Sequence, residues 1–181
     1  MRISEVIGLK VLNKNNQIMP YFIKEPIYSY KNLSVVAFLV QHTFISKDKE
    51  KILCYNKILN FTNNGVITLN AKSLIGLDQR DDILKLYKNP LKLSEFEIYT
   101  KDGELVGIVR DAIINQNNGK VDALIIHEGF FTNMYNGYSV LVLSENSLLE
   151  EATSNKLIIK EEDKDEIYYE GGGIKKILRI D

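Results

Sequence analysis

Chemistry-bearing residues are scarce in this chain: one cysteine and two histidines among 181 residues. A single thiol, Cys54, cannot close an internal disulfide, so nothing points to an oxidising compartment. It reads instead as a small hydrophobe on an apolar strand, Ile52-Leu53-Cys54-Tyr55. The histidines, His42 and His127, lie far apart in the chain, and a zinc site asks for further ligands at set spacing. Neither sign of charge dominates: 23 Lys and Arg stand against 24 Asp and Glu, a net charge of −1. No global field therefore draws the protein to nucleic acid or an anionic membrane, and DNA is not an expected partner. The longest uninterrupted apolar run is Val35 to Val40, far below the ~20 residues that cross a bilayer. The opening "MRISEVIGLKVL" lacks the apolar core of a signal peptide. Together these features predict a soluble, cytoplasmic protein without membrane insertion, and the richness in Lys, Asn and Ile suggests an AT-rich bacterial genome.

Reactive motifs are equally sparse. The chain has no G-x-S-x-G elbow and no G-x-x-x-x-G-K-[ST] loop, so "EGGGIKK" lacks the frame that cradles phosphate. The acidic run Glu161-Glu162-Asp163 with Asp165-Glu166 lacks the order and glycine of an EF-hand and reads as a solvated turn. These readings predict no catalytic residues, no metal ligands and no cofactor.

What the chain does have is a repeat. "VLNKNNQIMPYFIKEPIYSYKNLSVVAFLV", from Val11, matches "IYTKDGELVGIVRDAIINQNNGKVDALII", from Ile98. Each opens on an apolar pair, turns through a polar stretch, continues as a mixed strand and closes on an apolar run. Asp102-Gly103 favours a tight hairpin turn, and Gln116-Asn117-Asn118-Gly119 supplies residues that tolerate a left-handed backbone. Short strands at this spacing, separated by turns, point to an all-β fold and not to βαβ units. Expected strands in the first copy are 10–13, 18–24, 34–40, 52–55 and 65–69; in the second, 96–100, 105–115, 120–127, 139–143 and 156–160. Pro20 and Pro26 predict an edge or a bulge in the second strand. Between the copies, "LDQRDDILKLYKNP" predicts a short helix capped by Asp81 or Asp82, with Ile83, Leu84 and Tyr87 on one face and Asn89-Pro90 as its stop.

The motif "lVGiVrDaiin", its turn at Gly119 and the following "kVdALii" resemble the PRC-barrel, a β-barrel shared by the photosynthetic reaction centre H subunit and the C-terminal domain of the ribosome maturation factor RimM. Residues 94–160 carry the resemblance, and residues 3–70 carry a weaker form. The organisation it implies is two small antiparallel PRC-like barrels in tandem. They occupy residues 1–77 and 91–165, are joined by a helical linker at 78–90, and are followed by a tail or added hairpin at 166–181. In that tail Ile174, Ile177 and Leu178 fit a helical turn as well as a strand. Val35, Ala37, Leu39, Val121, Ala123 and Ile125 are expected to point into the two cores at equivalent places.

The family resemblance implies a docking platform, with no shared catalytic residues. The expected function is a non-catalytic adaptor that binds a protein partner. Its candidate surface is the connection "EGFFTNMYNGYS", which gathers Phe130, Phe131, Met134, Tyr135 and Tyr138. Aromatic and Met side chains on a loop held by a rigid barrel suit recognition. The alternative is a small-ligand- or RNA-associated regulator with its site between the barrels. Oligomeric state and partner identity are not legible at this level.

Overall fold

Tight turns set the frame of both copies. The computed structural model describes residues 1–44, 50–127, 137–143, 155–159 and 167–171. The first copy contains a short helix α1 (Ile3–Val6) and strands β1 (Lys10–Leu12), β2 (Ile18–Ser29), β3 (Ser34–His42), β4 (Lys51–Cys54), β5 (Ile58–Thr62), β6 (Gly65–Thr68) and β7 (Leu74–Gly76), with helix α2 (Asp81–Lys88) after them. The second contains β8 (Glu97–Thr100), β9 (Leu105–Ile114), β10 (Val121–His127), β11 (Gly137–Val142), β12 (Lys156–Ile159) and β13 (Ile167–Gly171). Asn16 and Gly103 both hold a positive φ, 60° and 83°, in the turn between the first two strands of each copy. At the next turn the left-handed position is held by Leu33 in one copy and Gly119 in the other, with φ of 38° and 76°.

The all-β class and the short helix between the copies are as expected. Strands β1 to β7 form one sheet in the order β5-β6-β1-β2-β3-β4-β7, and β8 to β13 form another in the order β12-β8-β9-β10-β11-β13. Once β5 is set aside, the two orders are the same. The registers of their third and fourth strands agree too. Ala37, Phe38, Leu39 and Val40 face Cys54, Leu53, Ile52 and Lys51 across β3 and β4. Ala123, Leu124, Ile125 and Ile126 face Val142, Leu141, Val140 and Ser139 across β10 and β11 in the same way. Each sheet departs from a purely antiparallel plan at one equivalent place: β1 runs parallel to β6, and β8 parallel to β12. A parallel pair needs a long crossover, and here the intervening strands provide it.

Pro26 lies in β2 between two register shifts, at Ile23/Glu25 and Ile27/Tyr28, as its missing N–H requires. Strands β5 and β7 are short additions that the sequence pattern did not reveal.

By contact the chain forms two compact units, one comprising Met1–Leu91 with Ile114–Lys120, the other Lys92–Ile113 with Val121–Asp181. Within the first unit, the Tyr55 hydroxyl donates to the Asn115 and Gln116 carbonyls at 2.9 and 3.2 Å, and the Val35 N–H donates to the Gly119 carbonyl at 2.8 Å.

All six expected core residues are buried, Val35, Ala37, Leu39, Val121, Ala123 and Ile125 each at 5% exposure or less. On the first sheet Ala37, Leu39, Ile52 and Cys54 join Ile27, Leu77 and Ile83 in one cluster, against which Ile75, Leu84, Leu86 and Tyr87 also pack. Helix α2 thus lies on that face with Ile83 at its centre. Its start corrects one expectation. The capping position is held by Arg80, without a side-chain cap. Asp82 instead accepts from the Arg80 Nε and Nη2 at 2.9 and 2.7 Å, because a carboxylate matches the planar guanidinium fork better than a single amide. The helix stops at Asn89, as Asn89-Pro90 predicts.

Residues 167–171 of the expected tail form β13, paired with β11. The rest of that tail, with Ile174, Ile177 and Leu178, lies outside the described residues.

Candidate recognition surface

The side chains with the most reactive chemistry are occupied locally. Cys54 is 5% exposed. Burial pushes its thiol up from the ordinary range, while Arg80, whose Nη1 lies 3.6 Å from Sγ, pulls the other way. A thiol so placed stays protonated at neutral pH and is a poor nucleophile. The Arg80 guanidinium holds the Asp82 carboxyl down at about 2. His42 meets the edge of Tyr21, with ring centroids 4.9 Å apart, and its Nδ1 accepts from the Phe44 N–H at 3.2 Å. His127 ends β10. Among the described residues, no three His, Cys, Asp or Glu side chains converge as a metal site would require.

Two concave or apolar features stand out among the described residues. A groove of about 690 Å³ in the first unit runs along β1, lined by Lys10, Leu12, Asn16, Ile18 and the turn Asn63-Asn64. The second feature lies on the second sheet, across β11 and β13. There Tyr138 pairs with Glu170 and Val140 with Tyr168. Side chains on paired strands alternate between faces, so Tyr138, Val140 and Tyr168 belong to one face, with the two tyrosines diagonal neighbours. Ile125 lies across from Val140 and is buried with it and Ala123 in one cluster. The tyrosines behave differently: Tyr138 is 53% exposed and Tyr168 49%.

Tyr138 was expected in a connection. It lies in β11, because the strand begins at Gly137, two residues before the apolar run makes it visible. Phe130, Phe131, Met134 and Tyr135, expected beside it, lie outside the described residues. Tyr168 was not anticipated at all. Its alternating neighbours, Ile167 and Tyr169, are the only local signal, and the surrounding charges and glycines mask it.

Within this frame, the stretch from residue 92 to residue 164 matches the family model of the PRC-barrel domain. That stretch is thus similar to a PRC-barrel domain. The match takes in β8 to β12, whose strand order the first copy reproduces from outside the matched residues. No curated protein matches the chain. No helix among the described residues is long and apolar enough to cross a membrane.

Proposed function

We propose that the chain is a non-catalytic interaction module that binds a protein partner through its β-sheets, with Tyr138 and Tyr168 in the contact surface. The observation that carries this reading is the pair of half-exposed tyrosines on one face of two paired strands. Tyrosine offers a large amphipathic contact area with few rotatable bonds, and it is enriched where proteins meet. Strand placement strengthens the point, since a sheet fixes both rings before any partner arrives and lowers the ordering cost of binding. The PRC-barrel match supports a platform role. The protonated Cys54 and the locally engaged His42 support the reading that this surface binds without reacting. The same reading takes the protein to be cytoplasmic, in keeping with a buried cysteine left as a free thiol.

The test is Tyr138→Ala combined with Tyr168→Ala in the full chain. Affinity purification from the native cell with quantitative mass spectrometry is expected to lose a co-purifying protein by about tenfold or more, the effect of removing one or two interface anchors. The melting temperature should stay within about 2 °C of the parent, as for exposed positions. Unchanged recovery of every partner would overturn the assignment.

A further inference from the structure

The two copies place different side chains at equivalent points, and the first copy shows what such points can hold. The shared register makes Ile75 the counterpart of Tyr168, since Ile52 faces Ile75 as Val140 faces Tyr168. It likewise makes Glu50, next to Lys51, the counterpart of Tyr138, next to Ser139. In the first copy both points border a helix. Ile75 packs against the same buried cluster as Leu84, Leu86 and Tyr87 of α2, and the Glu50 carboxylate accepts from the Tyr87 hydroxyl at 2.8 Å. In the second copy the same two points stand half exposed as Tyr138 and Tyr168, at the rim of a buried floor of Ala123, Ile125 and Val140.

We infer that Tyr138 and Tyr168 form a seat for an amphipathic α-helix of the partner protein. The inference rests on the recognition surface proposed above and gives its occupant a chemical class. Helix α2 is the chain's own example of that class. Its apolar residues Ile83, Leu84, Leu86 and Tyr87 lie toward the sheet, and Asp81, Asp82, Lys85 and Lys88 are the charged positions of the same eight-residue helix. The polarity of the contact is inverted between the copies. In the first, the sheet supplies a carboxylate and the helix a phenol. In the second, the sheet supplies the phenols, so the complementary helix carries Asp or Glu at i+4, within reach of the tyrosine hydroxyls, next to an apolar stripe at i, i+1 and i+3.

The probe is a hydrocarbon-stapled, fluorescent peptide of the α2 sequence Asp81–Asn89 carrying Tyr87→Glu, titrated with the full chain and read by fluorescence anisotropy. Stapling is needed because a helix this short does not persist alone in water. Saturable binding is expected, weakened about tenfold or more by Tyr138→Ala/Tyr168→Ala. Tyr138→Phe/Tyr168→Phe should keep the rings but lose the preference for the Tyr87→Glu peptide over the unchanged α2 sequence. A control, Leu59→Ala/Leu69→Ala, removes exposed apolar groups of the first copy and should leave binding unaltered. Absence of binding to the parent chain, or equal affinity for the alanine variant, overturns the inference. So does a fall in oligomeric mass of the alanine variant by sedimentation, which would make a second copy of the chain the occupant. A large drop in its melting temperature overturns it as well, since the chain's own residues would then occupy the seat. If the peptide fails while partner recovery still depends on the two tyrosines, the helix is wrong and the recognition surface stands.

Discussion

Apart from β5, the first sheet and the second have the same strand order, and β3 and β4 pair in the same register as β10 and β11, yet one face of each is finished differently. In the first, α2 lies over Ala37, Leu39, Ile52 and Cys54 and buries Ile83 to 2% exposure. In the second, two tyrosines stand half exposed beside the equivalent floor. A duplicated framework thus separates two requirements that a single copy would confound. The positions that agree, such as Ala37 with Ala123 and Leu39 with Ile125, are those that any such sheet needs to fold. The positions that differ, Glu50 with Tyr138 and Ile75 with Tyr168, are where the two faces are finished differently.

The comparison breaks first at its shared core. Leu39→Ala and Ile125→Ala, made one at a time, should each cost about 2–5 kcal/mol, the range for truncating a fully buried aliphatic side chain. Chemical denaturation is the measurement. If one variant is destabilised by that amount and the other melts with the parent, the two positions are not equivalent and the assigned register is wrong.

The next effect separates the copies by pH. The carboxylate of Glu50 next to the Tyr87 hydroxyl, with partial burial, holds that phenol up at about 12. Because the folded value lies above the ordinary one near 10, the contact contributes fully below about pH 10 and is lost as pH rises toward 12. Tyr87→Phe should therefore be less stable than the parent at pH 8, with the difference closing by about pH 12. A phenolate absorbance titration should show that Tyr87→Phe loses one of the late-titrating tyrosines of the parent. The sign would have to be reversed for the Glu50–Tyr87 contact to be discarded.

The smallest effect concerns Ser139, the second copy's counterpart of Lys51. Its hydroxyl is buried without a hydrogen-bond partner among the described residues, whereas the Lys51 amine donates to the Tyr21 hydroxyl at 2.9 Å. An unpaired buried hydroxyl costs stability, so Ser139→Ala should be neutral or stabilising by up to about 1 kcal/mol. A clear loss of stability in that variant would mean that the hydroxyl has a partner in solution.

Most of the framework was legible because its signals are local. The strands at Ile18, Ser34, Gly65, Leu105 and Lys156 begin where apolar alternation and turn residues place them. The helix at Asp81 announces its buried face through Ile83, Leu84 and Tyr87. The parts missed have weak local signals. Leu74–Gly76 is a three-residue strand, too short to show a period. Ile58–Thr62 carries a bulge next to Leu59, which interrupts the alternation expected of a strand. The cap at α2 was misread because the competing guanidinium, Arg80, is chosen by three-dimensional geometry and not by helix-end preference. The candidate surface was half legible. Tyr138 was singled out as an exposed aromatic but placed in a connection and not in β11, and Tyr168 was hidden because pairing between β11 and β13 is a long-range fact that no window of sequence contains.

The parallel pairs have a consequence for how the chain is built. Strand β1 is made among the first residues, yet its parallel neighbour β6 begins only at Gly65, and β8 likewise waits for β12 at Lys156. The first unit also draws in Ile114–Lys120, so Tyr55 meets its carbonyl acceptors only after residue 116 has left the ribosome. Contacts between residues so distant in sequence slow folding, because loop closure must precede their reward. Synthesis of the second copy therefore overlaps completion of the first, since Tyr55 lacks those two acceptors until residues 115 and 116 are free to fold.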